Sequence, residues 1–352
     1  MTGGTAETAR QPTGEALLSV RNLRTEIETE DGTLVAVDDI SFDLFAGEVL
    51  AVVGESGCGK TMLALSILGL LPGPGASTTA GEVRLAGEDL LAASPQRRRR
   101  ARGAEIAMIF QDPLTALNPV HRVGDQIAEM LRAHRPLRKR YARLRAEDLL
   151  KRVGIPDADR RARCYPHELS GGMRQRVMIA MAVALDPVVL IADEPTTALD
   201  ATVQAQVLEV LSEVRQRMSG AMMIITHDLG VVAGAADRVM VMYAGHCVER
   251  GDVRDVYERA SHPYTAGLLA AVPRLNRTAA RLTPIAGSPP VPIGAGAGCS
   301  FAPRCPLATD ICEQQRPDLR GRKDRPAEAA SMEPAVACHH AVIEGPTVSS
   351  SH

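Results

Sequence analysis

Tryptophan is absent, and aromatic residues make up only 3% of the 352 residues. A base-stacking surface of Phe, Tyr and Trp is therefore not expected. Neither charge sign dominates: Lys+Arg 40 against Asp+Glu 42 leaves a net charge of −2. That excludes global attraction to nucleic acid or to anionic lipid. No apolar run approaches the ~20 residues of a membrane-crossing helix. The longest, Met62–Leu71 and Val177–Ile191, are short, and Asp186-Pro187 interrupts the second. The opening MTGGTAETARQPTGEA contains no apolar signal-peptide core. A cytoplasmic chain is thus expected, with its seven cysteines reduced or metal-bound rather than paired. No repeat of fixed period is visible.

What is present is ordinary globular composition: 45% apolar and 23% charged residues, over a length that suits two domains. Residues 1–15 are small and polar and read as a disordered tail. Leu17–Ile27 and Val35–Leu44 alternate about a turn at Asp31-Gly32, which predicts a hairpin. Val49–Val53 predicts a buried strand and Thr61–Leu71 a helix. Further strands are expected at Glu82–Leu85, Ile106–Phe110, Val188–Ala192, Met222–Thr226 and Val239–Met242. Residues from Pro113 to about Met181 are patterned as helices, with a basic stretch Arg132–Arg145. The run Arg97–Arg102 is expected to be a solvated loop. Strands alternating with helices imply a mostly parallel α/β sheet. Beyond His262-Pro263 the chain becomes rich in Pro and Gly (Pro289–Gly296) and carries four of the seven cysteines. It reads as a second, smaller unit or an ordered tail.

Gly54-Glu55-Ser56-Gly57-Cys58-Gly59-Lys60-Thr61 fits G-x-x-x-x-G-K-[ST] in full, between a predicted strand and a predicted helix. Glycines let backbone N–H groups curl around an anion, and the helix aims its positive end at the same place. Lys60 would reach the β- and γ-phosphates, and the Thr61 hydroxyl would bind Mg²⁺. Val188–Ala192 ends in Asp193-Glu194. Asp193 suits a contact to Mg²⁺, and Glu194 could polarise an attacking water. Paired acids also occur at ordinary strand ends, so the phosphate loop is what gives this pair its weight.

With Leu169-Ser170-Gly171-Gly172-Met173, which resembles an LSGGQ signature with Met173 for Gln, the sequence resembles the ATP-binding-cassette transporter ATPases over about residues 17–255. Gln111 matches the family's Q-loop, Thr197-Ala198-Leu199-Asp200 its D-loop, and His227 its switch histidine. The resemblance implies an α/β P-loop NTPase (RecA-like) core with an antiparallel β-subdomain and a helical subdomain at about 113–180, within a cassette spanning 16–261. It implies ATP and Mg²⁺ as cofactors. Glu194, His227 and Gln111 would be catalytic. Gly54, Ser56, Gly57, Cys58, Gly59, Lys60, Thr61, Met62, Gln111 and Asp193 would hold the nucleotide, with Thr61, Gln111 and Asp193 on Mg²⁺. Ser170, Gly171, Gly172 and Asp200 would serve a nucleotide shared with a second subunit. Family members usually stack adenine on an aromatic residue; Leu23–Thr29 has none, and Ile27 offers only an apolar contact.

Ser261–Leu269 and Pro113–Pro119 resemble the oligopeptide/dipeptide importer ATPases of the D type. That implies a peptide importer's motor at the cytoplasmic face of the membrane. Its partners would be a second ATPase in a heterodimer, two permeases and an extracytoplasmic binding protein, with no nucleic acid. Importers of nickel or other small solutes, and soluble non-transport cassette ATPases, are the alternatives. The extension would span 262–345, with a tail at 346–352. Its cysteines Cys299, Cys305, Cys312 and Cys338 suit a metal centre, either zinc or an iron–sulfur cluster. Cys305-Pro306 and the subfamily resemblance both point to [4Fe–4S]. Because the phosphate site lies in the other domain, ATP binding is expected to survive loss of the cluster, with assembly or stability suffering first.

Overall fold

The computed structural model describes residues 14–197, 199–271, 285–290, 294, 296–321 and 334–341. The expected N-terminal tail up to residue 13, Ala198, Val291-Pro292-Ile293, Ala295 and the tail at 346–352 lie outside the described residues.

Two sheets form the frame. β1 (Leu18–Thr29), β2 (Gly32–Leu44), β4 (Ala76–Leu85) and β5 (Glu88–Asp89) make an antiparallel sheet in the order β2-β1-β4-β5. β1 and β2 are the predicted hairpin, closing at Thr29 opposite Gly32. The second sheet contains β3 (Val49–Val53), β6 (Ile106–Ile109), β7 (Val189–Asp193), β8 (Ala221–Thr226), β9 (Arg238–Tyr243), β10 (His246–Asp252), β11 (Arg320–Gly321) and β12 (Ala335–Val336). Its order is β11-β12-β10-β9-β3-β8-β7-β6. The pairs from β9 to β6 are parallel, while β10, β11 and β12 join antiparallel. β3 is apolar at every position and buried at every position, because helices and the β1–β2 layer cover both faces.

No strand lies between β6 and β7 among the described residues; helices fill that interval. In the helix Val123–His134, Val123, Ile127 and Leu131 recur every four residues and face Ala142, Ala146, Leu149 and Leu150 of the helix Lys139–Arg152. The basic residues between them, Arg132, Lys139, Arg140 and Arg143, face solvent.

Two expectations change. The arginine run is a helix, Pro95–Ala101, not a loop: Ser94 caps it by accepting from Arg97 N–H, and Arg97 pairs with Glu88 and Glu105. Arg102 then donates to the carbonyls of Leu68 and Gly69, the C-terminal end of the helix Lys60–Leu68. A cation there completes orphaned carbonyls and complements the helix dipole. The second change concerns the C-terminal segment. β11 and β12 extend the main sheet through β10, so the segment shares that sheet rather than standing apart.

Candidate functional site

β3 delivers the chain to the loop Gly54–Gly59, and the helix Lys60–Leu68 starts directly after it. Two of the glycines are required by backbone packing. A Cβ at Gly54 would collide with the Met242 carbonyl, and one at Gly59 (φ +102) with the Ala36 carbonyl. Gly57 (φ +81) faces open space, as a phosphate cradle needs. Lys60 is buried, and its Nζ donates to the carbonyls of Gly54 (2.8 Å) and Glu55 (3.0 Å). Ser56, Gly57 and Thr61 are exposed at the loop's mouth, while Met62 is half-buried against the core. Cys58 is buried, which pushes its thiol pKa up and makes it a packing group.

The carboxyl ends of β7 and β8 bring the acids and the histidine to the same edge. Asp193 is 1% exposed; the Thr61 hydroxyl hydrogen-bonds its carboxylate, yet Oδ1 has no partner. Burial pushes its pKa up to about 6, with the Glu194 charge adding and Thr61 and Lys60 opposing. An orphaned buried carboxylate oxygen beside a threonine hydroxyl and an anion cradle fits the shell of Mg²⁺ bound to phosphates.

Glu194 takes a left-handed backbone (φ +43), a strained conformation for a residue with a Cβ. Its carboxylate is held from three sides. Gln111 Nε2 donates to Oε2 at 2.9 Å, Thr197 Oγ1 donates to Oε2 at 2.8 Å, and His227 Nδ1 stands 3.3 Å from Oε1. Lys60 Nζ lies 3.9 Å from Oε1. Burial alone would raise its pKa, but the Thr197 and His227 hydrogen bonds and the nearby positive charges hold it below the usual glutamate range. Thr197 stands in the sequence only as one residue of the D-loop match, and its bond to Glu194 has no local signal. His227 is half exposed and turned to Glu194, not a core histidine. Ile27 is half-buried on β1, in the antiparallel sheet.

The remaining motif residues have local roles in this chain. Ser170 caps the helix Gly171–Ala182, its Oγ accepting from Met173 N–H. Asp200 caps the helix Ala201–Arg217, accepting from Thr202 and Val203 N–H. Gly171 is exposed, whereas a Cβ at Gly172 would collide with Val203. Gln175 joins the two regions by donating to the carbonyl of Pro195, next to Glu194.

The ABC transporter family profile matches residues 37–197, and that of the oligopeptide/dipeptide transporter C-terminal region matches 248–312. The dipeptide transport ATP-binding protein DppD of Bacillus subtilis (strain 168) is 48% identical, covering 94% of this chain and 98% of that protein. The chain belongs to the ABC transporter ATPases. As such it hydrolyses ATP. The oligopeptide transport ATP-binding protein OppD of Mycobacterium tuberculosis (strain ATCC 25618 / H37Rv) is 51% identical over 86% of this chain and 50% of its own length. An ATP-binding cassette solved as a dimer with ADP and phosphate has the same fold, with a TM-score of 0.61 at 24% identity over 67% of this chain and 99% of that one.

In this ABC ATPase the tail cysteines converge. Cys299, Cys305, Cys312 and Cys338 line one small cavity with His262, Phe301 and His340. Burial, then the other three thiols, push the Cys338 pKa up to about 11. Among the described residues, however, no three His, Cys, Asp or Glu side chains form a group that could hold one metal ion. The expected metal centre is therefore not found as a formed ligand set. Nor, among the described residues, is any helix long and apolar enough to cross a membrane.

Proposed function

We propose that this chain is an ATP-hydrolysing subunit of a peptide importer, working with a second, similar ATPase, two membrane permeases and an extracytoplasmic binding protein. It would act at the cytoplasmic face of the membrane. The names of the relatives favour peptides over nickel or another small solute. Residues 16–261 serve as the cassette and 262–345 as the importer-type extension.

One observation carries the catalytic assignment: Gln111, Thr197, His227 and Lys60, from four separate segments, converge on Glu194. The phosphates sit on the N–H groups of Gly57–Thr61, with Lys60 as their counter-charge. Thr61, Asp193 and Gln111 would hold Mg²⁺, which would supply positive charge against the phosphates. Glu194 stays ionised and takes a proton from the attacking water, while Gln111 and His227 fix its direction. Phe110, Leu114 and Val120 are exposed apolar residues around the Gln111 turn, and they suit contact with a permease. Ser170 and Gly171 meet the partner subunit's nucleotide. Glu194→Gln in the assembled transporter, with the partner's site silenced, should lower phosphate release by about 10²–10⁴ while ATP still binds. Turnover at the parent rate would remove Glu194 from this role.

The tail thiols are assigned to a [4Fe–4S] cluster, with zinc as the alternative. A single tetrahedral ion draws its sulfurs to within ~3.8 Å of one another. Four thiols line one cavity, and they are the residues that would hold a cluster. Anaerobically purified protein should contain about four irons per chain. Cys338→Ser should lose iron, and Cys164→Ser should not. Stoichiometric zinc without iron would favour the alternative.

A further inference from the structure

The tail touches the phosphate loop itself, through Arg304, which no motif marks, and Tyr264. Arg304 precedes Cys305 in the turn Ala302–Arg304 that separates two of the cavity cysteines. Its side chain is 5% exposed and reaches Glu55 in a bidentate pair, Nη1 to Oε2 at 2.6 Å and Nη2 to Oε1 at 3.0 Å. Nη1 also donates to the Tyr243 hydroxyl (3.2 Å), and Nε to the Ala286 carbonyl (2.9 Å). The Glu55 N–H donates to the hydroxyl of Tyr264 at 2.8 Å. Its carbonyl accepts from Lys60. One residue of the loop is thus fastened on three sides, two of them by residues beyond 261.

Glu55 places a carboxylate inside a loop that must receive a polyanion. Left unpaired, that charge would repel the phosphates across a partly desolvated site. A buried guanidinium in bidentate contact is the strongest neutralising partner available, and a buried charge requires such a partner in return.

We infer that Arg304 tunes nucleotide affinity by cancelling the Glu55 charge within the phosphate loop, which makes ATP binding depend on the thiol-bearing turn. This rests on reading Gly54–Thr61 as the phosphate loop, and it runs against the expectation that ATP binding survives loss of the cluster with only assembly or stability affected.

The test is equilibrium binding of Mg-ATP to the full chain. Arg304→Gln should raise Kd roughly 5- to 30-fold. Glu55→Gln in the same chain should restore it to within about threefold of the parent, because the charge to be cancelled has gone. Arg304→Lys, which keeps the charge but loses the bidentate fork, should fall between the parent and Arg304→Gln. Glu55→Gln alone should tighten binding, since Arg304 is then unopposed. That variant decides the matter even if Arg304→Gln does not fold. An unchanged Kd in Arg304→Gln, no recovery in the double variant, or weaker binding by Glu55→Gln would each overturn the inference. Unaltered binding by Lys60→Ala would instead overturn the phosphate-loop reading.

Discussion

Asp193 shows how a single residue can be unfavourable for the fold and still be retained. Its carboxylate is buried with one oxygen unpartnered, in a position that a bound cation would satisfy. Its pKa, raised from 3.8 to about 6, means that at neutral pH the folded chain carries a costly charge there. Asp193→Asn should therefore stabilise the nucleotide-free protein by about 1–3 kcal/mol while abolishing Mg²⁺-dependent hydrolysis. Thermal melts without nucleotide, beside phosphate release with it, read both effects. A lower Tm in the variant would refute the account. Glu194 is the contrasting neighbour: three donors compensate its burial, at the cost of a left-handed backbone.

At the scale of elements, the two signature glycines separate. Gly172 lets the helix Gly171–Ala182 approach the helix Ala201–Arg217, because a Cβ would strike Val203. Gly172→Val should lower stability by about 1–3 kcal/mol through overpacking alone. It is thus a poor probe of contact with a second subunit. Gly171 has room, its nearest neighbour being Leu199 at 3.9 Å. Gly171→Gln should leave the Tm of the isolated chain unchanged, yet reduce ATP-driven pairing of subunits in size-exclusion chromatography. Pairing at the parent level would show that Gly171 does not meet the second nucleotide. The glycines were legible as a pair in the sequence; their different duties depend on which helix packs where.

Across the whole molecule, charged contacts strap the C-terminal segment to the cassette. Besides Arg304–Glu55, Arg316 donates to Asp38 Oδ2 at 2.8 Å, where Arg24 and His246 also converge. Burial opposes ionisation of Asp38, but the Arg316 bond, then His246 and Arg24, hold its pKa below 3.8. A carboxyl lowered on folding contributes stability that is complete above its unfolded value and fades as pH falls through its folded value. Arg316→Gln should therefore lower the Tm at neutral pH, with the gap to the parent closing as pH drops below 3.8. A gap that persisted in acid would mean that Arg316 acts without Asp38.

The sequence by itself determined the cassette. Val49–Val53 forms the buried strand it predicts, and the loop Gly54–Thr61 follows as written, because apolar runs and glycine spacing are local signals. Asp193, Glu194 and His227 fall at strand ends for the same reason. The arginine run reads as a loop because its like charges outweigh the local Ser94-Pro95 start signal, and Glu88 and Glu105, which offset Arg97, reach it only after folding. What tertiary structure alone decided is pairing over distance. Arg304 and Glu55 are 249 residues apart, and no periodicity carries information across that span. The tail joins the main sheet through β12 because β10 leaves a free edge, and an unpaired edge is filled by whichever strand the chain can bring to it.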